Sequence, residues 1–165
     1  MKDRTGSLVE IKKSKFGRGL FAKKNIAAGT VICKISGPPL NFNDTVELKE
    51  KESHTLQVDI DKYIYCNIPF LFSNHSCNPN CGINEYMEML TLYEINKHEE
   101  LFWDYSTSML ERHWTMQCSC GNKECRKTIT DFDLLPQDVQ AWYLQQNIVL
   151  PFIVHFLQHR YAKTG

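Results

Sequence analysis

Apolar and polar residues alternate in short stretches along most of the chain. Leu8-Val9-Glu10-Ile11-Lys12 alternates and predicts a half-exposed strand. In Lys15 to Ala22, Gly17 and Gly19 sit among apolar residues, which predicts a tight turn between short strands and a backbone that another group can approach closely. Asn25 to Gly29 reads as a turn and Thr30 to Ile35 as a strand, broken by Gly37-Pro38-Pro39. The charged stretch Asn41 to Ser53 has room for a turn or two of helix. Thr55–Asp59 and Lys62–Tyr65 predict a hairpin around Ile60-Asp61, Met87 to Ile95 another strand, and Leu101 to Tyr105 a short aromatic strand after a polar turn at Asn96 to Glu100. Many short strands with little helix before residue 130 predict a mostly β fold.

The periodicity changes in the C-terminal part. Asp133 is placed to cap a helix with Pro136 in its first turn, running to about Gln146, with Val139, Trp142 and Tyr143 on one face. A second helix begins at Pro151, where Phe152, Ile153, Phe156 and Leu157 recur at helical spacing. These faces are read as packing on the β domain, with a partner-binding tail as the alternative.

Composition narrows the class. A chain of 165 residues with 42% hydrophobic and 23% charged residues is large enough for a core without disulfides. The formal net charge is zero, which argues against nonspecific, direct nucleic-acid binding. Met1 to Leu8 is polar and lacks an apolar signal core, and no apolar run approaches a membrane span. The seven cysteines are odd in number, which fits an intracellular, reducing compartment, cytoplasm or nucleus, for a protein that is not secreted. Cys33, in an apolar run, is read as a buried small hydrophobe. Cys66 carries no assignment.

Two clusters carry chemistry. In Phe72 to Cys81, Asn74 and His75 stand side by side, Cys77 follows, and Asn78-Pro79-Asn80 forces a turn. Downstream, Cys118, Cys120 and Cys125 form Cys-x-Cys-x4-Cys around a glycine, which is most of a tetrahedral zinc site. The fourth ligand must come from elsewhere. Cys77 and Cys81 lead, His98 and His113 are poorer, and free or redox-active thiols are the competing reading.

Together with Gly17-Arg18-Gly19-Leu20-Phe21-Ala22 and Glu100-Leu101-x-x-Asp104-Tyr105, these two clusters make the chain resemble a SET-domain protein-lysine methyltransferase with a post-SET zinc segment, in a free-standing, short form. The four motifs occur in the family order and span about Ile11 to Arg126. The resemblance implies a β-rich SET fold with a knot-like active site, in which the Asn-His strand threads beneath the Asp-Tyr segment. It implies S-adenosyl-L-methionine as cofactor, held by Phe16, Gly17, Arg18, Gly19, Asn74 and His75. It implies Tyr105 as the catalytic tyrosine and selects Cys77 over Cys81 as the zinc ligand completing Cys118, Cys120 and Cys125. The implied division is 8–116 for the SET domain, 117–130 for the zinc segment and 131–165 for a helical extension.

Methyl transfer to an amine needs in-line alignment and a neutral lysine rather than a strong base. An aromatic channel desolvates the ammonium form and lowers the lysine pKa. Trp103 with Tyr63 or Tyr65 are its expected walls. Phe102 is expected in the core, because alternation puts it on the face opposite Trp103 and Tyr105. Two departures from the family pattern stand out. Leu71 replaces the arginine common before Phe72, with Arg18 the candidate substitute. Trp103 occupies a position usually Phe or Tyr, and its bulk implies low methylation states. The substrate is a lysine-containing protein or peptide, histone tails being the family's best-known targets. The second reading is a catalytically weak, SET-like peptide-binding module.

Overall fold

The computed structural model describes residues 8–161. The expectation for the N-terminal segment falls outside the described residues as far as residue 7, and that for the helical extension does so beyond residue 161.

The strands are short and sit where the alternating stretches lie. In chain order they are β1 (Val9–Ser14), β2 (Gly17–Ala22), β3 (Val31–Lys34), β4 (Pro39–Leu40), β5 (Thr55–Asp59), β6 (Lys62–Tyr65), β7 (Asn74–His75), β8 (Cys81–Ile83), β9 (Glu88–Thr91), β10 (Glu100–Trp103), β11 (Met116–Gln117) and β12 (Thr128–Ile129). The helices are α1 (Phe42–Glu47), α2 (Gln137–Gln145) and α3 (Pro151–Tyr161). Helix α1 starts with a reciprocal cap between Asn41 and Asp44, each side chain accepting from the other residue's backbone N–H.

The strands form four small sheets, ordered β1-β2-β10-β7, β3-β9-β8, β4-β6-β5 and β11-β12. In the first, the β1–β2 hairpin closes with Ser14 opposite Gly17, whose φ of 103° suits a residue without a Cβ. The same sheet carries one parallel pairing, β10 with β7, which aligns Phe102 with Asn74 and Trp103 with His75. Motifs distant in sequence thus become neighbours. Asn80 fixes their register: its amide donates to Glu100 O at 2.9 Å and its Oδ1 accepts from Phe102 N at 2.8 Å.

Several expected elements end earlier, each for a visible reason. The aromatic strand stops at Trp103 because the Asp104 carboxylate accepts from Ser106 N and turns Tyr105–Ser108 into a 3-10 helix. The Met87–Ile95 strand is reduced to β9, because Leu92 N bonds Asn80 O and Ile95 pairs instead with Ile26. Asp133 does not cap α2. Pro136 occupies that position without a side-chain cap bond. The Asp133 carboxylate faces two guanidiniums, with Arg112 Nη1 at 2.6 Å and Arg160 Nη1 at 2.9 Å, charge-assisted bonds that outcompete a single backbone N–H.

Two adjoining apolar clusters form the interior. The larger gathers Leu20, Ile32, Ile83, Met89, Ile95 and Leu101 from the sheets, together with Cys33, Cys66 and Cys81. The second joins Tyr143 of α2 and Ile153 and Leu157 of α3 to Leu110 and Phe132. Tyr143 is fully buried, while Val139 and Trp142 from the same face are only partly so. Among the described residues, no helix is long and apolar enough to cross a membrane.

Gly82 of β8 marks where the second cluster presses on the sheets. A Cβ there would lie 2.6–2.8 Å from the Ile148 side chain, which is itself buried. Gly82→Ala is expected to lose about 1–3 kcal/mol in urea unfolding through overpacking. Ile148→Ala, which removes Cγ2 and Cδ1, is expected to cost less in the Gly82→Ala background than alone; a purely additive double mutant would contradict this contact.

Candidate active site and metal centre

The β7–β10 pairing brings Asn74 and His75 beside the Asp104-Tyr105 turn. The Tyr105 hydroxyl donates to Ser73 O at 3.1 Å, and the Tyr105 backbone N–H donates to His75 Nδ1 at 3.3 Å. Burial is the main reason that the His75 pKa falls to about 4, with Arg126 pushing the same way and Asp104 opposing. A neutral His75 that accepts at Nδ1 carries its proton on Nε2, 3.4 Å from the Cys77 sulfur. Burial raises the Tyr105 pKa, so the phenol keeps its proton.

Tyr105 lines a recess of about 70 Å³ with Tyr63, Cys66, Phe70, Leu71 and Trp103. The Trp103 ring lies 4.9 Å from that of Tyr105 and 5.3 Å from that of Phe70, and its buried Nε1 has no hydrogen-bond partner among the described residues. Tyr63 donates to Glu111 at 2.6 Å. Tyr65 is not part of the lining; its hydroxyl meets His54, which is. Phe102 is not a core residue. It is partly exposed and meets Phe16 edge-on at 6.3 Å. Alternation does send it to the opposite side of β10, but that side faces the β1–β2 turn rather than the interior.

The β1–β2 turn is tied to this edge of the sheet. Asn74 donates to Arg18 O at 2.9 Å and to Glu100 Oε1 at 2.8 Å, while Ser14 donates to the other Glu100 oxygen at 2.9 Å. Gly19 packs against the Glu100 and Asn74 side chains. The Arg18 guanidinium lies 4.3 Å from the centre of the Phe72 ring. Phe16, Gly17, Arg18, Gly19 and Asn74 therefore gather at one edge of the sheet, while the His75 side chain lies on the other face of β7 with Trp103 and Tyr105.

The sulfurs of Cys77, Cys118, Cys120 and Cys125 all lie within 4.8 Å of one another. Cys77 Sγ and Cys118 Sγ are 3.7 Å apart. Four thiolates around zinc at about 2.3 Å would stand about 3.8 Å apart, so the cluster is compatible with zinc. Cys81 is fully buried in the core and His98 and His113 are not in the cluster. Backbone N–H groups of Arg126 and Cys120 point at Cys77 and Cys118 sulfurs, at 3.5 and 3.4 Å. Lys15 clasps the segment to the β1–β2 turn by donating to Ser119 O and Cys120 O at 3.1 and 2.9 Å.

Asp104 links these parts. It is almost fully buried and accepts from Ser106 N at 3.0 Å, from Arg126 Nη2 at 2.6 and 2.8 Å, and from the Tyr143 hydroxyl at 2.6 Å. Sequence reasoning gave none of the last three residues a part in the site. The arginine directly after Cys125 was the available signal for one of them; a tyrosine on the buried face of a helix gives no signal of an acidic partner.

With this geometry established, comparison with known proteins assigns the class. A SET domain family model matches residues 17–106, more than half of the chain, and the chain belongs to that family. Among curated relatives, human Histone-lysine N-methyltransferase 2B is 30% identical over 129 residues, covering 67% of this chain and 5% of the relative. Drosophila melanogaster Histone-lysine N-methyltransferase trr is 27% identical over 146 residues, covering 77% of this chain and 6% of the relative. The chain thus spans only a small part of these relatives. A crystal structure of KRYPTONITE in complex with mCHG DNA and SAH shares the fold, with a TM-score of 0.58 at 22% identity, over 74% of this chain and 29% of that one. The sequence resemblance and the mostly β SET fold are borne out.

For the metal centre, Cys77→Ser is expected to abolish stoichiometric zinc in the purified protein, whereas Cys81→Ser retains it. Metal analysis giving the reverse pattern would make Cys81, not Cys77, the fourth ligand.

Proposed function

We propose that the chain is an S-adenosyl-L-methionine-dependent protein-lysine N-methyltransferase, with histone tails the first substrates to test because the curated relatives are named for that activity. The observation that carries this reading is the Tyr105 phenol, half-buried and protonated, in a recess with Tyr63, Phe70 and Trp103, beside His75 and across β10 from the edge formed by Phe16 to Gly19 and Asn74. In this reading residues 8–116 are the SET domain, 117–130 the zinc segment and 131–165 the helical extension.

The edge carrying Phe16 to Gly19 and Asn74 suits the cofactor. Its Gly17 backbone has open space on the side where a Cβ would stand, the Phe16 and Phe102 rings are partly exposed, and the Asn74 carboxamide is held in place. When bound, the cofactor supplies a methyl group on a sulfonium centre, electrophilic enough for direct attack by an amine. The recess supplies the rest. Tyr63, Phe70 and Trp103 flank the lysine side chain, while Glu52 and Glu111 in the same lining attract its ammonium form as it enters. Tyr105, held at both its hydroxyl and its backbone, orients that amine. The four cysteines hold zinc and keep the segment that carries Arg126 against Asp104. Reduced cysteines at a zinc centre suit a reducing intracellular compartment, and the zero net charge suits a protein substrate better than direct nucleic-acid binding.

Labelled cofactor and a basic peptide array are expected to give lysine methylation. Tyr105→Phe is expected to lower kcat by about 10²-fold or more, the range of a positioned catalytic group, while zinc content is kept. Mass spectrometry is expected to find mono- or dimethyl-lysine, because Trp103 crowds the recess. Full activity in Tyr105→Phe would remove that residue from the chemistry. Absence of cofactor binding by calorimetry would point to a peptide-binding module, and trimethyl-lysine as the main product would contradict the role of Trp103.

A further inference from the structure

The Asp104 carboxylate does two separate jobs. Oδ1 accepts from Ser106 N and so sets the turn that presents Tyr105. Oδ2 accepts from the Tyr143 hydroxyl, which comes from α2 and lies outside the family match that ends at residue 106. Arg126 bridges both oxygens from the zinc segment. Tyr143 is about 1% exposed and Asp104 about 1%, so water cannot replace this bond. Burial raises the Tyr143 pKa, with the Asp104 charge adding to it, so the phenol remains a donor.

A buried phenol needs an acceptor, and any backbone carbonyl would serve. Here the acceptor is the one carboxylate that also fixes the Tyr105 turn. Ser106, Thr107 and Ser108 are all buried in that turn, and Leu150, between α2 and α3, donates its N–H to Thr107 O at 3.1 Å. The helical extension therefore holds the turn at two points, one through a side chain and one through backbone. We infer that Tyr143 is a positioning residue for Tyr105, acting through Asp104, so that the extension belongs to the active site rather than only covering the core. Its effect on turnover rests on the methyl-transfer reading above.

Without the hydroxyl, Oδ2 keeps only Arg126, and the carboxylate is free to rotate towards that guanidinium. Ser106 N then loses its acceptor geometry and Tyr105 its fixed placement. The cofactor contacts at the β1–β2 turn lie on the Phe102 side of β10 and are untouched, whereas the recess is lined by Tyr105, Ser108 and Met109 of the turn itself. Tyr143→Phe is thus expected to lower kcat while cofactor affinity is kept.

The test compares Tyr143→Phe with Leu157→Ala, which removes packing in the same apolar cluster but no polar contact to the turn. In Tyr143→Phe, kcat is expected to fall about tenfold, with cofactor affinity and zinc content within about twofold of wild type. In Leu157→Ala, thermal stability is expected to fall at least as far while kcat is kept. Amide exchange read by NMR supplies an arm that needs no turnover: Tyr105 and Ser106 are expected to exchange faster in Tyr143→Phe than in Leu157→Ala. Wild-type inactivity towards every peptide would defeat the methyl-transfer reading alone, and the exchange arm would still decide the role of Tyr143. Unchanged exchange at both amides in Tyr143→Phe, or a kcat loss that tracks stability equally in both variants, would overturn the inference.

Discussion

A carboxylate removed from water is costly unless its oxygens are filled, and Asp104 is filled from three directions. The effective penalty for burying such an ion is several kcal/mol, and breaking a buried pair by removing one partner costs about 3–5 kcal/mol. Arg126 brings opposite charge from the end of the cysteine segment, Tyr143 brings a phenol from α2, and Ser106 N closes the local turn. The fold near the site depends on all three being present together. Arg126 comes from a segment with little regular structure, whereas Tyr143 sits on α2 within the second apolar cluster, and the carboxylate ties the two together.

The same network joins metal binding to the tyrosine. Arg126 offers its backbone N–H to the Cys77 sulfur and its guanidinium to Asp104. His75 lies between the two sites, its Nε2 towards Cys77 and its Nδ1 accepting from Tyr105 N. A cysteine cluster that gathers a loop thereby also brings Arg126 to Asp104. The recess sets Tyr63, Phe70 and Trp103 beside the carboxylates of Glu52 and Glu111, and the parallel β7–β10 pairing puts the Asn74 edge and the recess on opposite sides of one short strand.

Much of this was legible in the chain itself. The hairpin at Ile60-Asp61 lies at the residues expected, because alternation and turn chemistry are local signals. The Asn74-His75, Asp104-Tyr105 and Cys-x-Cys-x4-Cys runs pointed to residues that the fold brings together. Other features depend on long-range geometry. Whether Phe102 or Trp103 turns inward depends on which side of β10 receives the rest of the protein, and alternation alone cannot say. Asp133 has the composition of a cap but has two arginines within reach, from positions 21 residues before and 27 after it. Tyr143 reads as one more aromatic on a buried helical face until Asp104 is seen at its hydroxyl. Pairwise polar contacts across distant segments leave no periodic trace.

The claim that metal, helical extension and tyrosine share one support is tested most directly by hydrogen–deuterium exchange with mass spectrometry before and after zinc chelation. The expected result is loss of protection in residues 116–128 together with residues 73–77 and 104–109, because Arg126 and Cys77 carry the disturbance to Asp104 and Tyr105. Loss of protection confined to 116–128, with the Asp104–Met109 turn unchanged, would contradict that claim and leave the cysteine cluster an independent structural clip.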